Sequence, residues 1–182
     1  MNRVEYWSNL PEKEWPRTAG LGLWDRRNGI RTVASMLTKP KALEIGVDRA
    51  GVLEYCHEAF GSYTGVDIAL KKEAKEIAGI SCPHKFVEAP SVDFWKSLQK
   101  TDTFDFVYVD GHHGTRETHL DITQAMLRLN VGGYIMVHDI ANHGVDIGPE
   151  WAYNRCCNLP GWYARVLEGH GEGMALFFKE AE

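Results

Sequence analysis

Residues 42–68 read ALEIGVDRAGVLEYCHEAFGSYTGVDI, and the fold turns on this stretch. Its two apolar runs, Ala42 to Val47 and Tyr63 to Ile68, lack the strict in–out alternation of a strand with one wet face. Short unbroken runs of this kind belong to strands buried on both faces of a parallel sheet. Between them Val52, Cys56, Ala59 and Phe60 fall at i, i+4, i+7 and i+8, one face of a helix. Strand, helix and strand in succession make a right-handed crossover unit.

The same rhythm extends outward in both directions. Further candidate strands are His84 to Ala89, Phe104 to Asp110 and Gly133 to Asp139. Leu70, Ala74, Ile77 and Ala78 repeat the helical stripe after the second strand. Thr118, Ile122, Ala125, Met126 and Leu129 repeat it after the fourth, with Asn130 and Gly132-Gly133 as the helix stop. A lead-in helix is predicted near Asn28 to Leu37, and another from about Pro149 to Asn158 with Pro160-Gly161 as its breaker. Trp162 to Glu168 and Met174 to Lys179 are joined by Gly169 to Gly173, too short a link for a helical crossover. They pair antiparallel if they pair directly. The predicted class is α/β, a doubly wound sheet, mostly parallel with an antiparallel C-terminal strand and helices on both faces.

The 182 residues fit one domain, with residues 1–40 as an N-terminal arm and lead-in helix and 41–182 as the core. Trp7, Trp15 and Trp24 are half of the six tryptophans. They read as aromatic anchors packing the arm onto the domain, or as a substrate lid. The net charge of −5, with no Lys/Arg block, argues against a nucleic-acid partner held by phosphate neutralisation. No stretch approaches the ~18 apolar residues of a membrane span, and Met1 to Leu10 lacks the apolar centre of a signal peptide. A soluble, cytoplasmic protein is expected. Cys56, Cys82, Cys156 and Cys157 are scattered, and their one close pair is vicinal, so reduced thiols are expected.

In open α/β sheets ligands lie at the carboxyl ends of the strands. The first strand ends in Glu44-Ile45-Gly46, with Gly51 following. Glycine at 46 and 51 lets the backbone turn sharply beside a ligand, and Glu44 puts a carboxylate there. The second strand ends in Gly65-Val66-Asp67. An acid about 20 residues beyond the glycine turn is placed to accept hydrogen bonds from a ribose diol, or simply to cap the next helix. Together these features favour an adenosine-type ligand, although the turn is not GxGxxG.

The fourth strand closes in Asp110-Gly111-His112-His113 and the fifth in His138-Asp139. With His119 and His143, five of the eight histidines fall in this region. Asp110 and Asp139 at strand ends, with these imidazoles, form a candidate metal or proton-transfer cluster. His112 is balanced between function and surface; His119 reads as a solvated helix residue and Asp121 as an exposed or packing polar contact. The loop Asn142 to Asp146 and Trp151 are candidate walls of an acceptor pocket, with an ordinary core or interface role equally open for Trp151.

Glu44-Ile45-Gly46, Gly51 and Gly65-Val66-Asp67, with the closing antiparallel strands, resemble a class I S-adenosylmethionine-dependent methyltransferase of Rossmann-like fold over about residues 30 to 180. The resemblance implies S-adenosylmethionine as cofactor, with Gly46 and Gly51 bounding its methionine end, Glu44 near its ammonium, Asp67 on its ribose and Ser91 nearest its adenine. Asp110-Gly111-x-His113 to Asp121, then Gly132-Gly133 and His138-Asp139, is similar to a metal-dependent small-molecule O-methyltransferase branch. That branch includes sugar O-methyltransferases of antibiotic pathways and cephalosporin-hydroxylase-like proteins. It implies Asp110 and Asp139 around a divalent cation, with His138 beside them, and His113 as general base. Asp110 would also border the cofactor, and His138 would serve the chemistry as well.

His138 departs from a position often acidic in that branch; of the candidate cations magnesium, manganese, iron and zinc, the last three tolerate imidazole better than magnesium, and a metal-free site stays open. Thr115 stands where relatives carry an aromatic residue. The expected partner is a small hydroxylated acceptor, with no nucleic acid and no membrane; a homo-oligomer is left open. The rival reading is a binding module or partner subunit that keeps the cofactor fold without turnover, to which the departures at Ala50, Val52, Pro90, Thr115 and His138 lend weight. A nicotinamide oxidoreductase is disfavoured by the missing GxGxxG and by the antiparallel end.

Overall fold

The computed structural model describes residues 22–140, 148–167 and 173–181. The arm with Trp7 and Trp15, the side chain of Trp24, the loop Asn142 to Asp146 with His143, and most of the Gly169 to Gly173 link lie outside the described residues. In chain order the elements are α1 (Gly22–Ser35), β1 (Lys41–Ile45), α2 (Gly51–Cys56), β2 (Ser62–Asp67), α3 (Lys72–Lys75), β3 (His84–Glu88) and α4 (Ser91–Ser97). Then follow β4 (Phe104–Val109), α5 (Thr115–Arg128), β5 (Leu129–His138), α6 (Gly148–Cys156), β6 (Trp162–Leu167) and β7 (Met174–Lys179).

One seven-stranded sheet runs in the order β3-β2-β1-β4-β5-β7-β6. The first five strands are parallel; β7 joins β5 antiparallel, and β6 pairs with β7 antiparallel, as the short link requires. The chain order reverses between β1 and β4, which places the switch point, and the crevice beyond it, where Gly46 and Asp110 meet.

Both faces of the sheet are covered. Tyr63, Phe106, Tyr108, Tyr134, Met136 and Leu176 pack on one side under Ile30 and Val33 of α1 and Leu53 and Cys56 of α2. Leu43, Val107, Ile135 and Val137 pack on the other under Phe94 and Trp95 of α4, Ile122 and Ala125 of α5 and Ala152 of α6. This two-sided burial is why the strands read as unbroken apolar runs. Each fully buried side chain such as Ile135 or Ile122 contributes on the order of 1.5–3 kcal/mol. Among the described residues no helix is long and apolar enough to cross a membrane.

Three local expectations need correction, and one helix carries no stripe in the sequence. Strand β1 stops at Ile45, because Gly46 at φ +90° leaves the extended region. Helix α3 is one turn rather than a stripe from Leu70 to Ala78. Only Ala74 of its four residues is buried, too little packing to hold a longer helix. Gly132-Gly133 does not stop a helix: α5 ends at Arg128 and β5 already begins at Leu129. The pairing jumps from Phe104–Leu129 to Phe106–Tyr134, so the glycines form a bulge, with Gly132 at φ +82°. Helix α4, for which no stripe was read, is a short element buried through the adjacent pair Phe94 and Trp95.

Candidate functional site

The turn after β1 is held open by one carboxylate. Asp67, at the end of β2, accepts hydrogen bonds at Oδ2 from the backbone N–H groups of Val47 and Asp48, both at 2.9 Å, and at Oδ1 from Ala69 at 3.0 Å. It therefore ties the two strand ends together and turns its own chain. Three of about four acceptor positions on the carboxylate are used, and the residue still borders the cavity. The left-handed backbone at Asp48 (φ 47°) and Ala50 (φ 62°) lies in this pinned turn, the kind of local strain that collects at binding sites.

Gly46 shows why a side chain is excluded there. A Cβ on it would stand 2.0 Å from the Asp110 carbonyl oxygen and 2.8 Å from Gly111 Cα, so β1 and β4 touch backbone to backbone at the switch point. Gly51 is different. A Cβ there would meet the Arg27 guanidinium at 2.6 Å, so this glycine makes room for an arginine of α1.

Around this turn lies a cavity of about 750 Å³, bordered by Glu44, Gly46, Gly51, Asp67, Ser91 and Asp110. Residues chosen from four strand ends and two following turns thus converge on one space, sized for a cofactor or drug-like molecule. Glu44 is 3% exposed and accepts a hydrogen bond from the Tyr63 hydroxyl at Oε2. Burial, and then the Glu44 charge, push the Tyr63 hydroxyl well above its usual pKa. Cys56 is pushed up to about 12, by burial first and Glu44 second, against the opposing charges of Arg31 and Arg27. It is an inert thiol, and the four cysteines are free. Ser91 starts α4 beside Asp121, which is 1% exposed and also accepts from Trp95 Nε1 at 2.8 Å. Burial raises the Asp121 carboxyl; its hydrogen bonds from Trp95 and Ser91 oppose that. Of the two readings, exposed or packing, Asp121 takes the buried one, with the added task of orienting Ser91.

Asp110 leads from this cavity to the second constellation. Its Oδ2 accepts from the Tyr108 hydroxyl at 3.1 Å. Asp110, His113 and Asp139 each offer one donor atom, all within 4.8 Å of one another. His113 Nε2 lies 2.9 Å from Asp139 Oδ2, and Asp139 holds φ 60°, a left-handed turn that aims it back at the cluster. His138 Nδ1 lies 2.9 Å from Asp139 Oδ2 and 3.4 Å from Asp110 Oδ1, so its ring is pressed against both carboxylates. Burial alone would lower its pKa, but the hydrogen bonds it donates to Asp110 and Asp139, and then their charges, outweigh that and lift it to about 9.

The stability consequence has a definite sign. A folded pKa near 9 against 6.5 unfolded gives a contribution of about 3 kcal/mol, fully present below pH 6.5 and lost as pH rises through 9. Urea unfolding of chelator-treated protein from pH 6 to 10 should show this loss, and His138→Gln should flatten it. An unaltered slope in the variant assigns the dependence elsewhere.

Gly148, at the start of α6, was not singled out from sequence. A Cβ there would lie 2.1 Å from the His113 carbonyl oxygen, so α6 abuts the loop that carries His113. Gly148→Ala should cost roughly 1–3 kcal/mol through overpacking and shift the His113 ring signals in NMR. An unshifted His113 would dissociate the two. His119, read as solvated, packs its ring against Trp151 at 5.3 Å, and Arg155 covers Trp151 at 4.7 Å; neither His119 nor Trp151 borders the cavity. His112 does border it. Its Nδ1 accepts from Gly114 N–H at 2.8 Å, and its side chain is 75% exposed.

Residues 43–140 match a family described as "Methyltransferase domain". Several solved structures share the fold. The O-methyltransferase TomG from Streptomyces achromogenes, in complex with S-adenosylmethionine (SAM), is 15% identical with a TM-score of 0.71, over 98% of this chain and 87% of that one. The O-methyltransferase from Bacillus cereus, in complex with S-adenosylhomocysteine (SAH), is 15% identical with a TM-score of 0.69, over 98% and 88%. The SAH-bound Podospora anserina methyltransferase PaMTH1 is 18% identical with a TM-score of 0.68, over 98% and 87%. No curated protein sequence matches the chain.

Proposed function

The chain belongs to the methyltransferase-domain family, and from that premise we propose that it moves a methyl group from SAM to a hydroxyl oxygen of a small molecule. The observation that carries this reading is the double membership of Asp110. It borders the cavity and also contributes to the cluster with His113 and Asp139, so a donor site and proton-accepting groups share one wall. Relatives of the same fold that hold SAM or SAH support the same ligand here.

In this reading Asp67 and Ser91, toward the β3 side of the sheet, take the adenosine. Gly46 and Gly51 bound the amino-acid arm, and Glu44 faces its ammonium. That leaves the sulfonium directed toward Asp110. A methyl group on a sulfonium is already activated, so the protein must align an oxygen in line with the S–CH₃ bond and remove its proton. The O–CH₃ bond forms as S–CH₃ breaks, the sulfur keeps the bonding pair, and SAH leaves. His113, oriented through Nε2 by Asp139, accepts the hydroxyl proton at Nδ1 and returns it to solvent. No covalent intermediate is required. The whole chain acts as one catalytic domain on a dissolved cytoplasmic acceptor.

A second reading rests on the donor set itself. Neighbouring ligands on ~2.1 Å metal bonds sit ~3.0 Å apart, and His113 Nε2 and Asp139 Oδ2 are 2.9 Å apart. Two carboxylates and an imidazole therefore fit a divalent cation held by Asp110, His113 and Asp139, with His138 against the carboxylates rather than completing the set. A bound cation would lower the hydroxyl pKa and fix its direction. The imidazole favours manganese or iron(II) over magnesium.

The function is tested by label transfer from methyl-tritiated SAM to a panel of phenolic, catechol and sugar hydroxyl acceptors, with and without manganese. Label on oxygen supports the proposal; label only on nitrogen or carbon, or on no acceptor at all, removes it. Quenching of the free Mn(II) electron-paramagnetic signal by wild-type protein, but not by Asp139→Asn, separates the second reading from the first.

A further inference from the structure

We infer that Arg27, on α1, receives the α-carboxylate of the methyl donor. The inference rests on the proposal that the cavity takes SAM, and it supplies a partner that proposal leaves out. The amino-acid arm of SAM is a zwitterion, with an ammonium and a carboxylate on the same carbon. Glu44, buried at 3% exposure, answers only the ammonium, and its charge would repel the carboxylate unless a cation stood nearby.

Arg27 is that cation. Its side chain borders the same cavity as Glu44, and its Nη2 lies 2.6 Å from where a Gly51 Cβ would be. The missing side chain at 51 is thus what allows a guanidinium to lie over the turn at the amino-acid end. The buried Nε of Arg27 has no hydrogen-bond partner among the described residues. Buried donors of an ion are nearly always satisfied, and leaving one unmet is costly, so the group calls for an acceptor. A carboxylate, with two oxygens matched to the guanidinium fork, is the fitting one. Among the described residues the other cavity-lining arginine, Arg49, is 70% exposed and pairs with Glu73 at 3.7 Å. Arg27 is also fixed in place: its backbone carbonyl accepts from Cys56 Sγ at 3.6 Å, and the Tyr55 hydroxyl donates to neighbouring Asn28 at 2.6 Å. The helix that carries it is therefore anchored on α2.

The test compares two ligands that differ in the amino-acid arm. SAH carries the zwitterion; 5′-methylthioadenosine keeps the nucleoside and thioether and lacks it. By calorimetry, Arg27→Gln should weaken SAH by roughly 10- to 100-fold, the range for a charged hydrogen bond, and leave methylthioadenosine within about threefold. Arg27→Lys should fall between. Gly51→Ala, which displaces the guanidinium without removing it, should give the same selective loss. Unchanged SAH affinity in Arg27→Gln overturns the inference, and so does an equal loss of both ligands, which is what loosened α1 packing would produce. If wild-type protein binds both ligands and Arg27→Gln alters neither, the assignment of Arg27 falls and the SAM reading stands. If wild-type protein binds neither, both fall.

Discussion

Gly46→Ala is expected to lose roughly 2–5 kcal/mol of folding stability, more than Gly148→Ala or Gly79→Ala. Two costs combine. The position sits at φ +90°, where an L side chain is strained by roughly 1–2 kcal/mol. The new Cβ would also stand 2.0 Å from the Asp110 carbonyl oxygen, and its three nearest atoms are all backbone of Asp110 and Gly111, with no flexible side chain among them to yield. Separating β1 from β4 would open the switch point and remove ligand binding together with stability. Gly79→Ala is the matched control. Its φ of +75° is equally left-handed, but nothing lies within 4 Å of the added atom. Only the strain of roughly 1 kcal/mol should appear there. Chemical denaturation of both variants measures the difference, and equal losses would refute the close approach of β1 to β4.

The second large effect is on turnover. His113→Gln should lower kcat by roughly 10²- to 10⁴-fold, the range for a lost general base, while SAH affinity stays within about threefold, because His113 does not border the cavity. Asp139→Asn should lose activity in the same direction, since it orients His113 at 2.9 Å. His112→Gln is the comparison: although next in sequence and facing the cavity, its ring is largely solvated and should change kcat little. A full rate in His113→Gln would move the proton to another group.

The parallel core was legible because burial on two faces imposes unbroken apolar runs, and the antiparallel end because five residues cannot carry a crossover. The convergence of Glu44, Gly46, Gly51, Asp67, Ser91 and Asp110 on one cavity was legible for a related reason: in this architecture strand ends share one edge. What stayed hidden depends on contacts between residues distant in sequence. Nothing local marks Arg27 as the group that fills the space left by Gly51, or Gly148 as the residue that admits the His113 loop. The double duty of Asp67 was half visible. Spacing suggested either ribose or helix cap; Asp67 caps no helix, since Lys71 precedes α3 without a side-chain cap, and it accepts instead from the Val47, Asp48 and Ala69 N–H groups while staying on the cavity wall. The bulge at Gly132-Gly133 was misread because a glycine pair after a helical stripe looks the same whether it ends a helix or kinks the following strand.

The most direct test of the account is a calorimetric titration of chelator-treated protein with SAM and SAH, repeated in the presence of manganese. The account predicts one saturable site per chain for both compounds, retained in His113→Gln and lost in Gly46→Ala. No binding of either compound to folded wild-type protein, with or without manganese, would contradict it.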